Sequence, residues 1–352
     1  MKQFTSLLLM MFMLISTAQE APKVVLITLD GYRWQELFQG ADPALIGNKD
    51  YVHSPESLKQ KYWKETAEER RETLMPFIWT EVVKMGQLHG NRNLGSKVNL
   101  TNGMRFSYPG YNEILTGRAD DEHINSNDKI PNPNKTILEL ANNEPGYKGR
   151  VMAFGSWDVF PYIINEERSG VPVNAGYENA AGDALSESQV LLNDMQLQAP
   201  VIWESVRLDV FTHQFALEAL KKHHPEVIYI AYGETDDFAH DGRYDFYLQA
   251  ANRTDGMIRE LWDFTQSDPF YKDSTLFLIT TDHGRGTQPL EDWTSHGSKI
   301  AGADQVWLIA FGKGVAPMGE VKQDEQLYSN QLAPTIAKLL GIEWEGEPLR
   351  MR

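Results

Sequence analysis

Short runs of consecutive apolar residues recur along the chain and are bounded by turn-forming residues. Runs that are rich in β-branched side chains and lack polar alternation are typical of strands buried on both faces of a parallel sheet. The predicted strands cover residues 24–29, 151–154, 227–231, 276–280 and 306–311.

The segments between these strands repeat their apolar positions with the period of an α-helix. Residues 209–222 and 330–340 follow this period, and Gly341 is a typical helix stop. In residues 244–265 a single stripe contains Tyr247, Ala250, Ala251, Met257, Ile258, Leu261 and Phe264. Alternation of strands and helices along the whole chain predicts an α/β fold, with a doubly wound, mostly parallel sheet flanked by helices.

Two stretches depart from this alternation. Residues 40–75 are polar, charged and rich in aromatic side chains, and residues 118–208 are dense in Asn, Asp, Pro and Gly. Because strong strand patterns precede and follow each stretch, we interpret both as lid-like insertions. The interpretation makes residues 19–352 a single domain.

The N-terminal residues have the pattern of a secretory leader. Lys2 precedes an apolar run over residues 7–15, and Ser16 and Ala18 are the small residues of a cleavage site. The pattern predicts a signal peptide over residues 1–18 and a periplasmic or secreted protein. Since the apolar run is short for a bilayer span, we expect no stable membrane span after leader cleavage; a retained N-terminal anchor is the alternative.

Composition restricts the chemistry of the chain. Its 352 residues contain 33 Lys and Arg against 49 Asp and Glu, a formal charge of −16, which argues against duplex nucleic acid as a partner. Cysteine is absent. Disulfides, thiolate nucleophiles and sulfur-ligated metals are therefore excluded, and a bound metal must be held by His, Asp or Glu. The sequence does not indicate the oligomeric state.

Carboxylate and imidazole side chains follow three of the predicted strands, and one more imidazole lies in a further loop. Ligands in open α/β sheets bind at the carboxyl ends of the strands. Each side chain taken alone has an ordinary explanation as a turn residue or a hydrogen-bonded pair, but their coincidence favours a metal site. The candidate ligands are Asp30, Asp236, His240, Asp282, His283 and His296.

Three carboxylates and three imidazoles exceed the needs of one tetrahedral ion, so we expect two divalent metal ions. Zn²⁺ suits this ligand set best, with Mn²⁺ and Fe as alternatives. Two ions about 4 Å apart stabilise both the attacking and the leaving oxygen in a phosphoryl displacement.

Ser107 is the candidate nucleophile. It stands just before Pro109 and a short helical pattern over residues 111–115. A serine at a helix N-terminus faces backbone N–H groups that favour a phosphate, and a metal ion lowers the pKa of a bound hydroxyl. The structural alternative is an N-cap serine without a chemical role.

The order of these motifs resembles the alkaline phosphatase superfamily, and most of all its type I nucleotide pyrophosphatase/phosphodiesterase family. The resemblance runs from about residue 23 to the C-terminus. It rests on LDGYR at 29–33, SYPGYNEILTG at 107–117, TDHG at 281–284 and QLAPTIAKLLG at 331–341. It implies an alkaline-phosphatase-like fold and a hydrolase of small phosphate esters, with phosphodiesterase or nucleotide pyrophosphatase activity expected ahead of phosphomonoesterase activity.

The resemblance also implies a distribution of the ligands. One metal ion is expected on Asp236, His240 and His296. The other is expected on Asp30, Asp282, His283 and the Oγ of Ser107. Ser107 is then expected to attack phosphorus and to form a covalent phospho-enzyme, which water hydrolyses.

The chain departs from the family pattern at two positions. Ser107 replaces the usual Thr, and Gly110 replaces the Asn that directly follows the Pro. Asn112, two residues further on, is not expected to replace that Asn, because two residues of an α-helix turn its side chain by about 200° from the direction of residue 110. The alternatives are a phosphomonoesterase of the same superfamily, a sulfatase, and a non-catalytic phosphate- or carbohydrate-binding protein. Against a sulfatase, Tyr111 stands where that signature has Arg.

Overall fold

The computed structural model describes residues 21–182 and 184–351. The predicted signal peptide over residues 1–18 lies outside the described residues. Within the described ranges, no helix combines the length and the apolar character of a membrane span.

The strands of the described residues form two sheets. They are β1 (Lys23–Leu29), β2 (Gly86–His89), β3 (Ser96–Asn99), β4 (Val151–Gly155), β5 (Val173–Ala175), β6 (Val227–Tyr232), β7 (Thr275–Thr280), β8 (Gln305–Val306), β9 (Leu308–Gly312), β10 (Gly319–Glu320) and β11 (Glu325–Tyr328).

The α-helices of the described residues alternate with these strands. They are α1 (Trp34–Gln39), α2 (Pro55–Tyr62), α3 (Ala67–Leu74), α4 (Val83–Met85), α5 (Ser107–Thr116), α6 (Ile137–Asn143), α7 (Phe160–Ile163), α8 (Glu166–Ser169), α9 (Glu187–Gln198), α10 (Asp209–His223), α11 (Glu234–His240), α12 (Tyr244–Ser267) and α13 (Leu332–Leu340).

The main sheet has eight strands in the order β10-β2-β9-β7-β1-β6-β4-β5, and β11-β3-β8 form a small second sheet. The central strands β7, β1, β6, β4 and β5 pair in parallel. β9 alone runs antiparallel to its neighbours in the main sheet of the described chain. The predicted mostly parallel α/β sheet is confirmed.

Helices cover both faces of the main sheet. Because side chains alternate along a strand, Val25 and Ile27 of β1 face one apolar core, and Val24 and Leu26 face the other. The first core includes buried residues of α10 and α12, and the second includes buried residues of α5, α6 and α13. This two-sided burial explains the unbroken apolar runs of the central strands.

The predicted strand over residues 306–311 is divided into two. β8 belongs to the small sheet and β9 to the main sheet, with Trp307 between them. The Trp307 side chain is buried, and its indole Nε1 donates to the Tyr32 carbonyl at 2.7 Å. A continuous apolar run carries no indication of such a change of sheet.

The two stretches that depart from the alternation differ in structure. Residues 40–75 contain α2 and α3. Residues 118–208 contain α6 to α9 and also β4 and β5, which form one edge of the main sheet.

Candidate active site

The candidate ligands lie at the carboxyl ends of three neighbouring strands in the centre of the main sheet. β7, β1 and β6 are adjacent and parallel, so their carboxyl ends lie side by side. Asp30 directly follows β1, Asp236 lies in α11 just after β6, and Asp282 and His283 follow β7. The topology therefore brings together residues that are far apart in the sequence.

Asp30, Asp282 and His283 form a buried group, which we call the inner cluster. His283 Nε2 lies 3.2 Å from Asp30 Oδ1 and 3.6 Å from Asp282 Oδ2. The Gly31 backbone N–H donates to Asp282 Oδ1 at 3.1 Å. These distances leave the three side chains able to share one cation.

Asp236, His240 and His296 form a second group, which we call the outer cluster. His240 Nε2 lies 3.2 Å from Asp236 Oδ2 and 2.9 Å from His296 Nε2. The His240 side chain is 46% exposed and that of Asp236 is 14% exposed. The outer cluster therefore faces solvent, in contrast to the inner one.

The two clusters are in direct contact. His283 Nε2 lies 3.5 Å from Asp236 Oδ1, and the rings of His283 and His296 are 4.0 Å apart. Gly31 borders both clusters with a φ of +56°. A Cβ on Gly31 would lie 2.6 Å from Asp236 Oδ1 and 2.9 Å from His283 Cε1, so only glycine leaves room for both ligands.

The inner cluster has the chemistry of a cation site. His283 Nδ1 lies 3.0 Å from the Gly284 carbonyl oxygen, which can only accept, so Nδ1 carries the proton. In the neutral imidazole, Nε2 then directs its lone pair towards two carboxylates. Asp30 Oδ1 and Asp282 Oδ2 are buried and receive no hydrogen bond from the described residues. A divalent cation satisfies all three atoms, so the residues fit a metal ion.

The ionisation of the carboxylates reflects the same arrangement. Burial, reinforced by the charge of Asp236, raises the pKa of Asp30 well above its usual range. Burial and the charge of Asp30 likewise raise the pKa of Asp282. Burial also favours the neutral form of Asp236, but Arg285 and His240 outweigh it and hold the pKa of Asp236 well below its usual range. Neighbouring positive charge therefore outweighs burial for the pKa of Asp236 but not for the pKa values of the inner carboxylates.

Ser107 stands beside the inner cluster as the first residue of α5. Its buried Oγ lies 3.5 Å from His283 Nε2. The helix is anchored by Glu113, whose carboxylate accepts from the backbone N–H groups of Thr101 at 2.8 Å and Asn102 at 2.9 Å. The predicted helical pattern over residues 111–115 is thus part of a longer helix that begins at Ser107 itself.

The start of α5 offers fewer free N–H groups than the sequence indicates. The Tyr108 N–H donates to Asn127 Oδ1 at 3.0 Å, and Pro109 has no N–H. Asn127 itself is exposed, so the acceptor for this N–H group is a solvent-facing side chain.

The absence of Asn at position 110 has a steric cause. A Cβ on Gly110 would lie 2.1 Å from the Asp282 carbonyl oxygen, so α5 packs directly on the backbone of a candidate ligand. Asn112 is buried and turned away, as the helical period predicts. Its Nδ2 donates to the Arg118 carbonyl at 3.1 Å, and its Oδ1 accepts from Asn132 at 3.1 Å.

The structure brings all seven sequence-predicted residues to one place. It also adds residues that the sequence analysis did not identify. Tyr111 donates to Asp30 Oδ2 at 2.8 Å, and the Arg285 guanidinium contacts Asp236. Both are close in sequence to predicted residues, but only the three-dimensional packing shows that they contact ligands.

A comparison with known protein families matches part of the chain. A family model described as Metalloenzyme superfamily matches residues 209–344, which include both outer histidines, Asp236, Asp282 and His283. The matched range excludes Asp30 and Ser107. A search of the curated proteins finds no match.

Solved structures of similar fold place the chain in the alkaline-phosphatase-like fold. Alkaline phosphatase PafA is 10% identical with a TM-score of 0.63, and the alignment covers 94% of this chain and 99% of that chain. The lipoteichoic acid synthase LtaP from Listeria monocytogenes is 11% identical with a TM-score of 0.58, over 93% of this chain and 74% of that chain. The phosphonate monoester hydrolase SpPMH from Silicibacter pomeroyi is 15% identical with a TM-score of 0.56, over 93% and 76%. At sequence identities this low, the similarity establishes the fold alone.

Proposed function

We propose that the protein is a two-metal phosphoester hydrolase in which Ser107 is the nucleophile. The inner cluster carries this proposal, because the lone pair of His283 and two buried carboxylate oxygens without donors converge beside the Ser107 hydroxyl. Buried polar atoms are usually hydrogen-bonded, and here two carboxylate oxygens that lack donors also face the same imidazole nitrogen.

The residues divide into two ligand groups. Asp30, Asp282 and His283, with the Oγ of Ser107, would hold one ion, and Asp236, His240 and His296 would hold the other. When bound, such ions supply Lewis-acid stabilisation of phosphoryl oxygens and lower the pKa of a hydroxyl. Zn²⁺ is the preferred ion for this mixture of imidazole and carboxylate ligands, with Mn²⁺ and Fe as alternatives.

The side chains of this chain have distinct tasks in the reaction. The Oγ of Ser107 forms a bond to phosphorus as the bond between phosphorus and the leaving-group oxygen breaks, and the proton lost by Ser107 passes through solvent to that oxygen. Water then attacks the phosphoserine, releases the phosphate product and restores the Ser107 hydroxyl. The Asn127 side chain contacts the first turn of α5 through the Tyr108 N–H group, and its amide N–H₂ group can donate there to a phosphate oxygen.

A phosphodiester or a nucleotide pyrophosphate is the proposed substrate class, ahead of a phosphomonoester. This preference rests on the resemblance of residues 107–117 to the nucleophile segment of the type I nucleotide pyrophosphatase/phosphodiesterase family. We also propose a periplasmic or secreted location from the leader pattern of residues 1–18. A small phosphate ester is the proposed partner, since the acidic chain disfavours long nucleic acids.

Metal analysis and substrate comparison test the proposal together. Protein that has been stripped with a chelator and reconstituted with Zn²⁺ should contain close to two ions per chain. The variants Asp282→Asn and His240→Ala should each retain close to one. Rates on bis(4-nitrophenyl) phosphate should exceed those on 4-nitrophenyl phosphate, and 4-nitrophenyl sulfate should be the poorest substrate.

The outcomes separate the alternatives. Faster hydrolysis of the monoester assigns a phosphomonoesterase, and faster hydrolysis of the sulfate assigns a sulfatase. A protein that binds no ion after reconstitution and hydrolyses none of the three compounds contradicts the proposed function.

A further inference from the structure

Arg285 connects the segments that carry the candidate ligands. Its Nε donates to the Gly31 carbonyl at 3.2 Å, and its Nη1 donates to the Thr294 carbonyl at 2.7 Å. Its Nη2 donates to the Asp236 carbonyl at 3.0 Å and also to Asp236 Oδ1. One guanidinium thus contacts the turn after Asp30, the helix that carries Asp236 and the loop that leads to His296.

The position of Arg285 is unusual for a charged side chain. Arg285 is 1% exposed, and a buried guanidinium is tolerated only where its donors are paired. Among the described residues, the carboxylate that Arg285 contacts is that of Asp236. The planar fork of arginine satisfies carbonyls in three directions at once, which a lysine cannot do.

The contact divides the two oxygens of Asp236. Oδ1 accepts from Arg285, whereas Oδ2 lies 3.2 Å from His240 Nε2 within the outer cluster. Oδ2, the oxygen that faces His240, is therefore left available to a cation, whereas His296 Nε2 lies 3.8 Å from Oδ1. In the inner cluster, Tyr111 rather than Arg285 donates to the carboxylate of Asp30.

We propose that Arg285 is a positioning residue for the outer metal site. It fixes the carboxylate of Asp236 so that Oδ2 faces His240, and it holds the loop of His296 against the helix of Asp236. Its links to the inner site are indirect: Arg285 contacts the Gly31 carbonyl and Asp236 Oδ1, and that oxygen lies 3.5 Å from His283 Nε2. The inference rests on the proposed two-metal function.

Metal titration of the stripped protein tests this role without an activity assay. Isothermal titration with Zn²⁺ gives the affinity of each site, and His240→Ala identifies the outer one because it removes a ligand there. Hydrogen-bond partners of metal ligands typically contribute about 10- to 100-fold to affinity. Arg285→Lys should therefore weaken the outer site by about 10- to 100-fold and weaken the inner site by a much smaller factor.

Arg207 provides a matched control. It is fully buried, and its guanidinium also donates to backbone carbonyls, those of Glu178 at 3.2 Å and Asn174 at 3.1 Å. It contacts none of the candidate ligands in the hydrogen bonds of the described chain. Arg207→Lys should lower thermal stability while leaving both Zn²⁺ affinities unchanged.

The outcomes distinguish the inference from the function on which it rests. Wild-type protein that binds no Zn²⁺ contradicts the proposed function. Wild-type protein with two sites, combined with equal weakening of both sites in Arg285→Lys or with no weakening, overturns the role of Arg285. If Arg285→Lys does not fold, Arg285→Gln is titrated in its place, and the same selective loss of the outer site is expected.

Discussion

Tyr111 joins α5, the helix that begins at Ser107, to the inner cluster through a hydrogen bond. Its hydroxyl donates to Asp30 Oδ2 at 2.8 Å, and the side chain is fully buried. Burial, together with the charges of Asp282 and Asp30, raises the pKa of Tyr111 well above its usual range, so the hydroxyl keeps its proton. Tyr111 is therefore a permanent donor that leaves Asp30 Oδ1 to face His283.

Tyr111→Phe removes this donor and leaves the ring in place. Since a hydrogen bond to a charged acceptor contributes about 1.5–3 kcal/mol, inner-site affinity for Zn²⁺ should fall by about 10- to 100-fold. Isothermal titration of the stripped protein measures the effect. Tyr108→Phe is the control, because the buried Tyr108 hydroxyl donates to the Ile130 carbonyl at 2.7 Å, away from the ligands. Equal losses in both variants would refute a specific role for Tyr111.

At the scale of elements, the contact between α5 and the end of β7 sets the distance between Ser107 and the inner cluster. Gly110 makes that contact, because it allows the helix to lie against the Asp282 carbonyl. Glu113, one turn further along α5, holds the helix by accepting from the backbone N–H groups of residues 101 and 102. The proposed nucleophile, Ser107, is thus positioned by the packing of a helix and not by a loop.

Gly110→Ala introduces a methyl group 2.1 Å from the Asp282 carbonyl oxygen, so α5 must move away from β7. Overpacking of this kind costs about 1–3 kcal/mol, so the free energy of unfolding should fall by that amount. The value of kcat should also fall, because Ser107 moves with the helix. Urea unfolding and hydrolysis rates are the measurements. Gly146→Ala serves as the control, since its Cβ would meet no heavy atom within 4 Å. An active and fully stable Gly110→Ala protein would show that this contact is not required.

The sequence was sufficient to predict elements whose role depends on local pattern. Apolar runs identified β1, β6 and β7, and the rule that ligands collect at their carboxyl ends brought Asp30, Asp236 and Asp282 together. The break at Trp307 was missed because both halves of that segment are equally apolar. Tyr111 and Arg285 were missed because their significance depends on which side chain lies opposite, and no local pattern contains that information.

At the scale of the whole molecule, the net negative charge of the chain would repel a phosphate ester, whereas the candidate active site must attract one. The chain carries a formal charge of −16. Three of its carboxylates, Asp30, Asp236 and Asp282, lie together at the carboxyl ends of the central strands, where the buried Arg285 contacts Asp236. Two divalent ions would turn this local excess of negative charge into a positive site for a phosphate ester. Under the proposed function, bound metal ions and not surface Lys or Arg would then attract the phosphate ester.

Metal binding should consequently stabilise the whole fold. A ligand that binds only the native state adds about 2.7 kcal/mol per site at a free concentration of 100 times Kd. Unfolding in urea, with and without Zn²⁺ after chelation, measures this gain, with KCl at equal ionic strength as the control. His240→Ala should keep the contribution of the inner site and lose that of the outer site. Equal stability with and without Zn²⁺ would contradict metal binding by the native protein.

The most direct test of the central claim is the hydrolysis of bis(4-nitrophenyl) phosphate by Zn²⁺-loaded wild-type protein and Ser107→Ala. The variant should keep its fold and its two ions, because the six Asp and His ligands remain. Its kcat/KM should fall by about 10⁴-fold or more, as is typical when a nucleophile is removed. A metal-loaded Ser107→Ala protein that hydrolyses the ester at the wild-type rate would contradict the account.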